Sequence, residues 1–324
     1  MNILITGADG FIGRALVTRL LASGVLPGLG DARRQVVLLD RGFATVPTDA
    51  RVRLVPGDIA ERDTWREALR DPVDCVFHLA SVPGGAAEAN FELGLRVNLQ
   101  ATLTLLEALR PQATPAKVVF ASTIGVYGVP MPAVIDESTV PEPSLSYGAH
   151  KLLGEVLITD YSRRGFIDGR SLRLPGIVAR PPQASGMLSA FLSDLIRALS
   201  AGRSFDCPVA KEAMSWWMSR ACVVENLLHA AALSAAQVKK QRVWLLPVLH
   251  ASIGDVVAAI ARVRGEDVST RVTYRADPAL QAQFASYPPL RCPAAVEAGF
   301  RNDVTLEALV QRALDESAHG SSGL

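Results

Sequence analysis

The chain reads as an α/β protein built on a doubly wound parallel sheet, with a smaller C-terminal α/β part after it. Three observations predict this. A short apolar strand, a glycine turn and an amphipathic helix open the chain, and further apolar runs alternate with helical stretches as far as Arg180. Tyr147 and Lys151 then stand one helical turn apart at the start of a long helix, downstream of a strand that ends in hydroxyl side chains.

Composition narrows the function classes. The 324 residues are enough for a sizeable core, and 33 Lys and Arg against 32 Asp and Glu leave a net charge of +1. Without a basic stripe interleaved with aromatics, nucleic acid is not an expected partner. No apolar run approaches the ~20 residues of a membrane span, and the first residues lack the charged start and apolar core of a signal segment. A cytoplasmic protein with no membrane partner is expected. Cys75, Cys207, Cys222 and Cys292 are scattered without a CxxC pair, and the five histidines show no HExxH spacing, so neither disulfide nor metal is expected.

The first element is the strand from Asn2 to Thr6, followed by GADGFIG and a helix from Phe11 to Ala22 with Ile12, Leu16 and Leu20 on one face. Gly7 permits the tight turn, Gly10 lets the backbone approach a pyrophosphate, and Gly13 lets helix and strand pack closely. The spacing is GxxGxxG rather than GxGxxG. The second strand, Gln35 to Leu39, ends in Asp40, placed to accept hydrogen bonds from an adenine-ribose diol. A carboxylate there repels a 2′-phosphate and favours NAD, while Arg41 beside it keeps NADP open. The stretch from Leu26 to Arg34, rich in Gly, Pro and Arg, reads as an inserted surface loop.

A third strand, Val52 to Val55, runs into Gly57, Asp58 and Ile59, where Asp58 either contacts adenine or closes an ordinary strand-end turn. A fourth, Asp74 to Leu79, opens into Ala80 to Gly85, a Gly- and Pro-containing loop suited to pass beneath a cofactor. His78 sits inside an apolar strand and reads as a satisfied core histidine. The helix expected from Ala86 to Leu109 is apolar nearly all round, which points to a helix-to-helix dimer seam, and Asn98 is its polar exception. The fifth strand, Lys117 to Ala121, delivers Ser122 and Thr123 at its carboxyl end, where such sheets bind their ligands.

In the helix that follows, Tyr147 and Lys151 share a face. A lysine near a tyrosine, with a cationic nicotinamide close by, favours the phenolate and makes a general base for an alcohol proton. The ordered set GADGFIG, Asp40, HLA, VNL, ASTIGVYG and YGAHK resembles the extended short-chain dehydrogenase/reductase family, also called the NAD-dependent epimerase/dehydratase family. The resemblance covers the chain well to Arg180 and only in outline beyond it.

That resemblance implies a Rossmann NAD-binding domain over residues 1–175 and a substrate-binding part over 176–318 with segments returning to the sheet, while the small, polar run 319–324 reads as a flexible tail. It implies that Tyr147 is the acid/base and that Lys151 lowers its pKa and holds the nicotinamide ribose. Thr123 then bonds the reacting oxygen, with the same donor and acceptor capacity as the commoner serine, and Asn98 shapes the site. The implied cofactor set is Gly7, Gly10, Phe11, Ile12, Gly13, Asp40, Asp58, Ile59, Leu79, Ala80, Tyr147, Lys151 and Pro175; the substrate set is Ser81, Thr123, Tyr147 and Arg180.

Departures from the family pattern narrow the reaction. Dehydratases carry Asp and Glu where this chain has Ile124 and Gly125, so dehydration is not expected. The RxFN-like run that meets a nucleotide-sugar diphosphate is Arg173, Leu174, Pro175 and Gly176 here, and a later Arg-Asp strand motif is replaced by Ser215, Trp216, Trp217 and Met218. The runs SVPGGAAEANFELGLRVNL and YSRRGFIDGRSLRLPGIVARP are similar to the branch that oxidises the 2-hydroxyl of D-erythronate with NAD. LRLPGIV also resembles the short-chain L-threonine dehydrogenases. A carboxylate substrate asks for a guanidinium; Arg180, Arg197 and Arg220 are candidates for that contact or for surface positions.

Beyond Gly176, helices are expected over Gly186–Ala201, Ala221–Ala236, Ile253–Val263 and Thr305–Asp315, and strands over Arg242–Leu246 and Arg271–Tyr274. Met187, Trp216, Trp217 and Met218 read either as pocket wall or as core. A homodimer through the 86–109 and 146–164 helices is expected. Two other readings of the chain are an epimerase, which uses the same Tyr147 and Lys151 but returns the hydride, and a non-catalytic NAD sensor, whose members commonly lose one of them.

Overall fold

The computed structural model describes residues 1–22, 35–181 and 188–320. The loop expected over 26–34, Gly186 and Met187 at the head of an expected helix, and residues 321–324 of the expected tail lie outside the described residues.

The first half holds five strands, with helices between all but the second and third: β1 (Asn2–Thr6), α1 (Phe11–Ala22), β2 (Gln35–Asp40), β3 (Val52–Pro56), α2 (Arg62–Ala68), β4 (Cys75–His78), and β5 (Lys117–Thr123). With the later strands Asp168–Leu174 and Val243–Leu245 they form a seven-stranded sheet. The order is 243–245, 168–174, β5, β4, β1, β2, β3. Registers run parallel, with Ile5 opposite Leu38 on one side and Phe77 on the other. Ile3, Leu4 and Ile5 are fully buried, as are Val76, Phe77, Val118 and Val119. Continuous apolar runs of this kind belong to strands covered on both faces. The strand order reverses between β1 and β4, so the crevice beyond their carboxyl ends is where a ligand belongs in such a sheet.

The described chain divides into two compact units: residues 1–127, 141–173 and 224–245, and residues 128–140, 174–223 and 246–324. The second unit holds a three-stranded sheet in the order Leu249–Ser252, Met214–Ser219, Gly176–Val178. Its first pair is antiparallel and its second parallel. Helices Phe191–Ser200, Ile253–Arg264 and Leu306–Gly320 contribute to one apolar cluster that includes Trp217, Leu195, Ile260 and Leu309. No helix among the described residues is long and apolar enough to cross a membrane.

Several expected elements differ from the observed ones. The single helix expected over 86–109 is four pieces: α3 (Gly84–Ala89), α4 (Phe91–Gly94), a π-helical segment Leu95–Gln100, and α5 (Ala101–Leu109). Asn90 breaks it by leaving helical dihedrals and accepting the Leu93 N–H with its own side chain at 3.0 Å. The helix expected over 221–236 ends at Ala232, and Ser234 starts another through a reciprocal capping box with Gln237. The last helix continues to Gly320, past the expected end at Asp315. Ser215–Met218 lie within a strand, and Trp216, Trp217 and Met218 are fully buried, so they are core. The two indole N–H groups are answered by the carbonyls of Pro288 and Ala251.

Candidate active site

The nucleotide end of the site begins at the turn after β1. Gly7 has φ 69°, and a Cβ there would lie 2.8 Å from the Ala80 amide nitrogen, so only glycine serves. Gly10 and Ile12 are half-buried, and Phe11 and Gly13 are buried in the first turn of α1. Asp40 ends β2 with one carboxylate oxygen accepting the Asp9 N–H at 2.9 Å and the other the Arg41 N–H at 2.8 Å. It is thereby fixed against the glycine turn, and each oxygen retains acceptor capacity. This turn and carboxylate suit a dinucleotide on this chain's own geometry.

Two residues of the expected cofactor set have local partners. Asp58 accepts the Ala60 N–H at 2.9 Å and faces Arg96 at 3.9 Å, closing the strand-end turn. Ile59 is buried among apolar side chains, and its carbonyl accepts the Trp65 indole N–H at 2.6 Å.

A polar chain sets the loop after β4. The Leu79 N–H reaches the Thr6 carbonyl and the Ala80 N–H reaches the Thr6 hydroxyl, each at 3.2 Å. His78 is buried, with Nδ1 2.7 Å from the Thr6 hydroxyl and Nε2 3.0 Å from that of Thr102, which donates to the Asn98 carbonyl. That order is satisfied with the ring proton on Nε2. Burial, with the Lys151 charge adding to it, pushes His78 down to about 3, so the ring is a neutral core spacer. Asn98 uses its whole amide on one residue: its oxygen accepts the Val82 N–H at 2.7 Å and its nitrogen donates to the Val82 carbonyl at 3.0 Å. It therefore acts on the half-buried Ser81 and its neighbours through their backbone, and the π-helical turn carries it.

The reactive end is assembled from β5 and α6 (Ser146–Arg163). Thr123 ends β5, and its hydroxyl accepts the Gly125 N–H at 3.0 Å, capping the short 3₁₀ turn Ile124–Val126. Tyr147 is the second residue of α6. A Cβ on Gly148 would lie 2.1 Å from the Gly125 carbonyl oxygen, so this glycine lets the start of α6 rest directly on the turn after Thr123. Beside the phenol ring stand Gly84 and Gly125, where an added Cβ would be 3.9 Å from Tyr147 Cδ1 in either case.

Lys151 is buried on the same face of α6. Its Nζ donates to the Ala121 carbonyl at 2.8 Å and lies 5.8 Å from the centre of the Tyr147 ring and 4.7 Å from that of Phe120. Burial pushes the ammonium down to about 7, against the opposing pull of Glu155. Glu155 is one further turn along, and the sequence reading passed over it. The spacing 147, 151, 155 continues one helical face and was the signal available.

The remaining expected residues lie in the second unit. Pro175 is buried, and Arg180 is half-buried with its backbone N–H on the Ser193 hydroxyl at 2.9 Å. Of the other two guanidinium candidates, Arg197 pairs with Asp194 within its own helix and Arg220 begins the helix Arg220–Ala232.

The profile of the NAD dependent epimerase/dehydratase family matches residues 3–238. The chain is 37% identical to a D-erythronate dehydrogenase from Cupriavidus necator, over 98% of this chain and 99% of that one. It is 30% identical to a D-erythronate dehydrogenase from Haemophilus influenzae, over 97% and 99%. A solved structure described as a nucleoside-diphosphate-sugar epimerase from Agrobacterium tumefaciens superimposes with a TM-score of 0.90 at 30% identity, covering 99% of this chain and 95% of that one. The chain belongs to the NAD-dependent epimerase/dehydratase family and is an NAD-dependent oxidoreductase.

Proposed function

We propose that this chain oxidises the 2-hydroxyl of a small sugar acid, D-erythronate or a close relative, to the 2-oxo acid. The observation that carries the reading is the Thr123–Tyr147–Lys151 arrangement flanked by bare Gly84 and Gly125. Full-length likeness to two D-erythronate dehydrogenases supports the substrate class. NAD, when bound, accepts the hydride from the substrate carbon. Tyr147 takes the hydroxyl proton, and the Thr123 hydroxyl holds the same oxygen. Lys151, charged, stabilises the Tyr147 phenolate and reaches the nicotinamide ribose.

In this reading the cofactor is held by the glycine turn and by Asp40, which selects NAD over NADP. Asn98 is a positioning residue, through Val82. Residues 1–175 carry the cofactor and residues 176–318 the substrate contacts, with Arg180 as the carboxylate ligand. The working form is a homodimer through the 86–109 and 146–164 helices. Phe91, Leu103, Leu153 and Val156 are exposed apolar side chains on those helices, between 40% and 59% accessible.

The test is NADH formation with NAD and a panel of four- to six-carbon sugar acids plus L-threonine, repeated with Tyr147→Phe. Turnover of D-erythronate or a close relative is expected, and the variant should lose about 10²- to 10⁴-fold in kcat while NAD affinity is kept. A variant that keeps its rate removes Tyr147 from the reaction. The likeness to a structure described as a sugar epimerase supports a second reading, in which the hydride returns to the opposite face. Silence across the panel, with NAD bound, favours that one.

A further inference from the structure

Four buried side chains meet beside the Tyr147–Lys151 face and have no part in the chemistry above. Glu155 accepts the Ser122 hydroxyl at 2.5 Å, and Arg173 grips the same carboxylate with Nε at 3.0 Å and Nη2 at 2.7 Å. The third arm of the guanidinium, Nη1, donates to the Tyr127 hydroxyl at 2.7 Å. All four residues are at most 9% exposed.

Their place in the chain gives them a purpose. Ser122 immediately precedes Thr123, and Tyr127 closes the 3₁₀ turn that follows it. Glu155 lies on α6, one turn past Lys151, and Arg173 lies on the strand Asp168–Leu174. The segment that carries Thr123 is therefore held at one end by the carboxylate and at the other by the guanidinium. Lys151 takes the carbonyl of Ala121, one residue further back.

We propose that the Glu155–Arg173 pair is a positioning device, which brackets Thr123 so that its hydroxyl and the Tyr147 phenol meet the same substrate oxygen. This rests on the roles given to Thr123 and Tyr147 under the proposed reaction. Two physical arguments favour positioning over simple stabilisation. A buried ion pair contributes little net stability, because desolvation offsets the attraction. A planar guanidinium bonded along two edges fixes direction as well as distance, which is what aligning a reacting hydroxyl demands.

The test removes the anchors and leaves the ion pair in place. Ser122→Ala and Tyr127→Phe are each expected to lower kcat about tenfold, and the double variant about a hundredfold, since displacements near 1 Å have effects of that size. NAD affinity should stay close to wild type, while the melting temperature falls by about a few degrees as Arg173 Nη1 and Glu155 each lose one buried partner. Turnover is read with D-erythronate or, where the wild type ignores it, with the nucleotide sugar of the epimerase reading. Amide hydrogen exchange across residues 123–127 needs no substrate and is expected to rise in both single variants. Full kcat in the double variant, or unchanged exchange, overturns the bracket. So does a fall in kcat matched by equal losses of NAD affinity and stability, which reports general loosening. Tyr147→Phe run alongside separates the two ideas. If it is active, the base assignment falls; if it is inactive while both anchor variants run at full rate, the bracket alone falls.

Discussion

The two faces of α6 reverse the usual order of a surface helix. The face toward the sheet buries Lys151, Glu155 and Ser162, while the outer face exposes Leu153 at 48% and Val156 at 59%. Buried polar groups are costly unless answered, and here they are answered one by one. Lys151 has the Ala121 carbonyl, Glu155 has Ser122 and Arg173, and the Ser162 hydroxyl donates to the Ile158 carbonyl and accepts the Gly169 N–H. His150 is the exception, its Nδ1 without a hydrogen-bond partner among the described residues and its ring 5.8 Å from that of Phe91. The lesson is that one helix is fitted to two different surfaces. Its inner face carries charge that a core would not choose, and its outer face carries apolar area that water would not choose.

The largest effect expected on the inner face comes from Arg173→Met. It leaves the Glu155 carboxylate buried with the Ser122 hydroxyl still donating to it but without its guanidinium, and should cost about 3–5 kcal/mol in denaturant unfolding. Adding Glu155→Leu removes the stranded charge and should return most of that loss. A second buried carboxylate in the other unit sharpens the point. Asp303 is fully buried, but it accepts both the N–H and the hydroxyl of Ser219, and its partner Arg312 is 43% exposed to water. Arg312→Met should therefore cost only about 1 kcal/mol, the scale of a half-solvated pair. Equal losses for the two arginine variants would show that burial of the cation is not what separates them.

The next effect is a dependence on pH set by Lys151. In the unfolded chain it binds its proton up to its ordinary 10.5, whereas burial brings the folded value to about 7. Between those values the unfolded state binds more protons, so this group makes stability rise with pH across that window. Below the folded value both states are protonated, and the full penalty of the buried charge remains. The wild-type apoprotein minus Lys151→Met should show a slope of up to about 1.4 kcal/mol per pH unit in unfolding free energy above neutrality. A flat difference would mean that the Ala121 carbonyl and Glu155 hold the ammonium at its ordinary value.

Legibility in the sequence followed the range of the interactions. β1 to β5 and the glycine turn were readable because apolar runs, glycine spacing and strand-end polar residues are local signals. The pairing of Glu155 with Arg173 was not, since it joins a helix to a later strand and neither residue announces the other. The helix expected over 86–109 failed for a related reason: apolar periodicity continues through Asn90 and Asn98, while hydrogen bonds to Leu93 and Val82 decide the backbone there. In the second unit an apolar Trp216–Met218 run left core and pocket wall open. Partners distant in sequence, Leu249–Ser252 among them, make it a buried central strand.

The smallest effect on the fold, and the sharpest on assembly, is expected on the outer face. Val156 is 59% exposed, and α6 packs beside α5, whose Leu103 is 40% exposed, and α4, whose Phe91 is 56% exposed. A second copy presenting the same helices would cover these side chains by a two-fold interface in which each face meets itself. Val156→Glu puts a charge onto that face without touching the inner one. Unfolding of the separated chain should change by no more than about 0.5 kcal/mol, as for other surface substitutions. Sedimentation should shift from dimer to monomer, because the introduced carboxylates meet across a symmetric interface and lose their water. A wild-type protein that sediments as a monomer throughout would remove the second copy from this face. A variant that stays dimeric would place the contact on another surface.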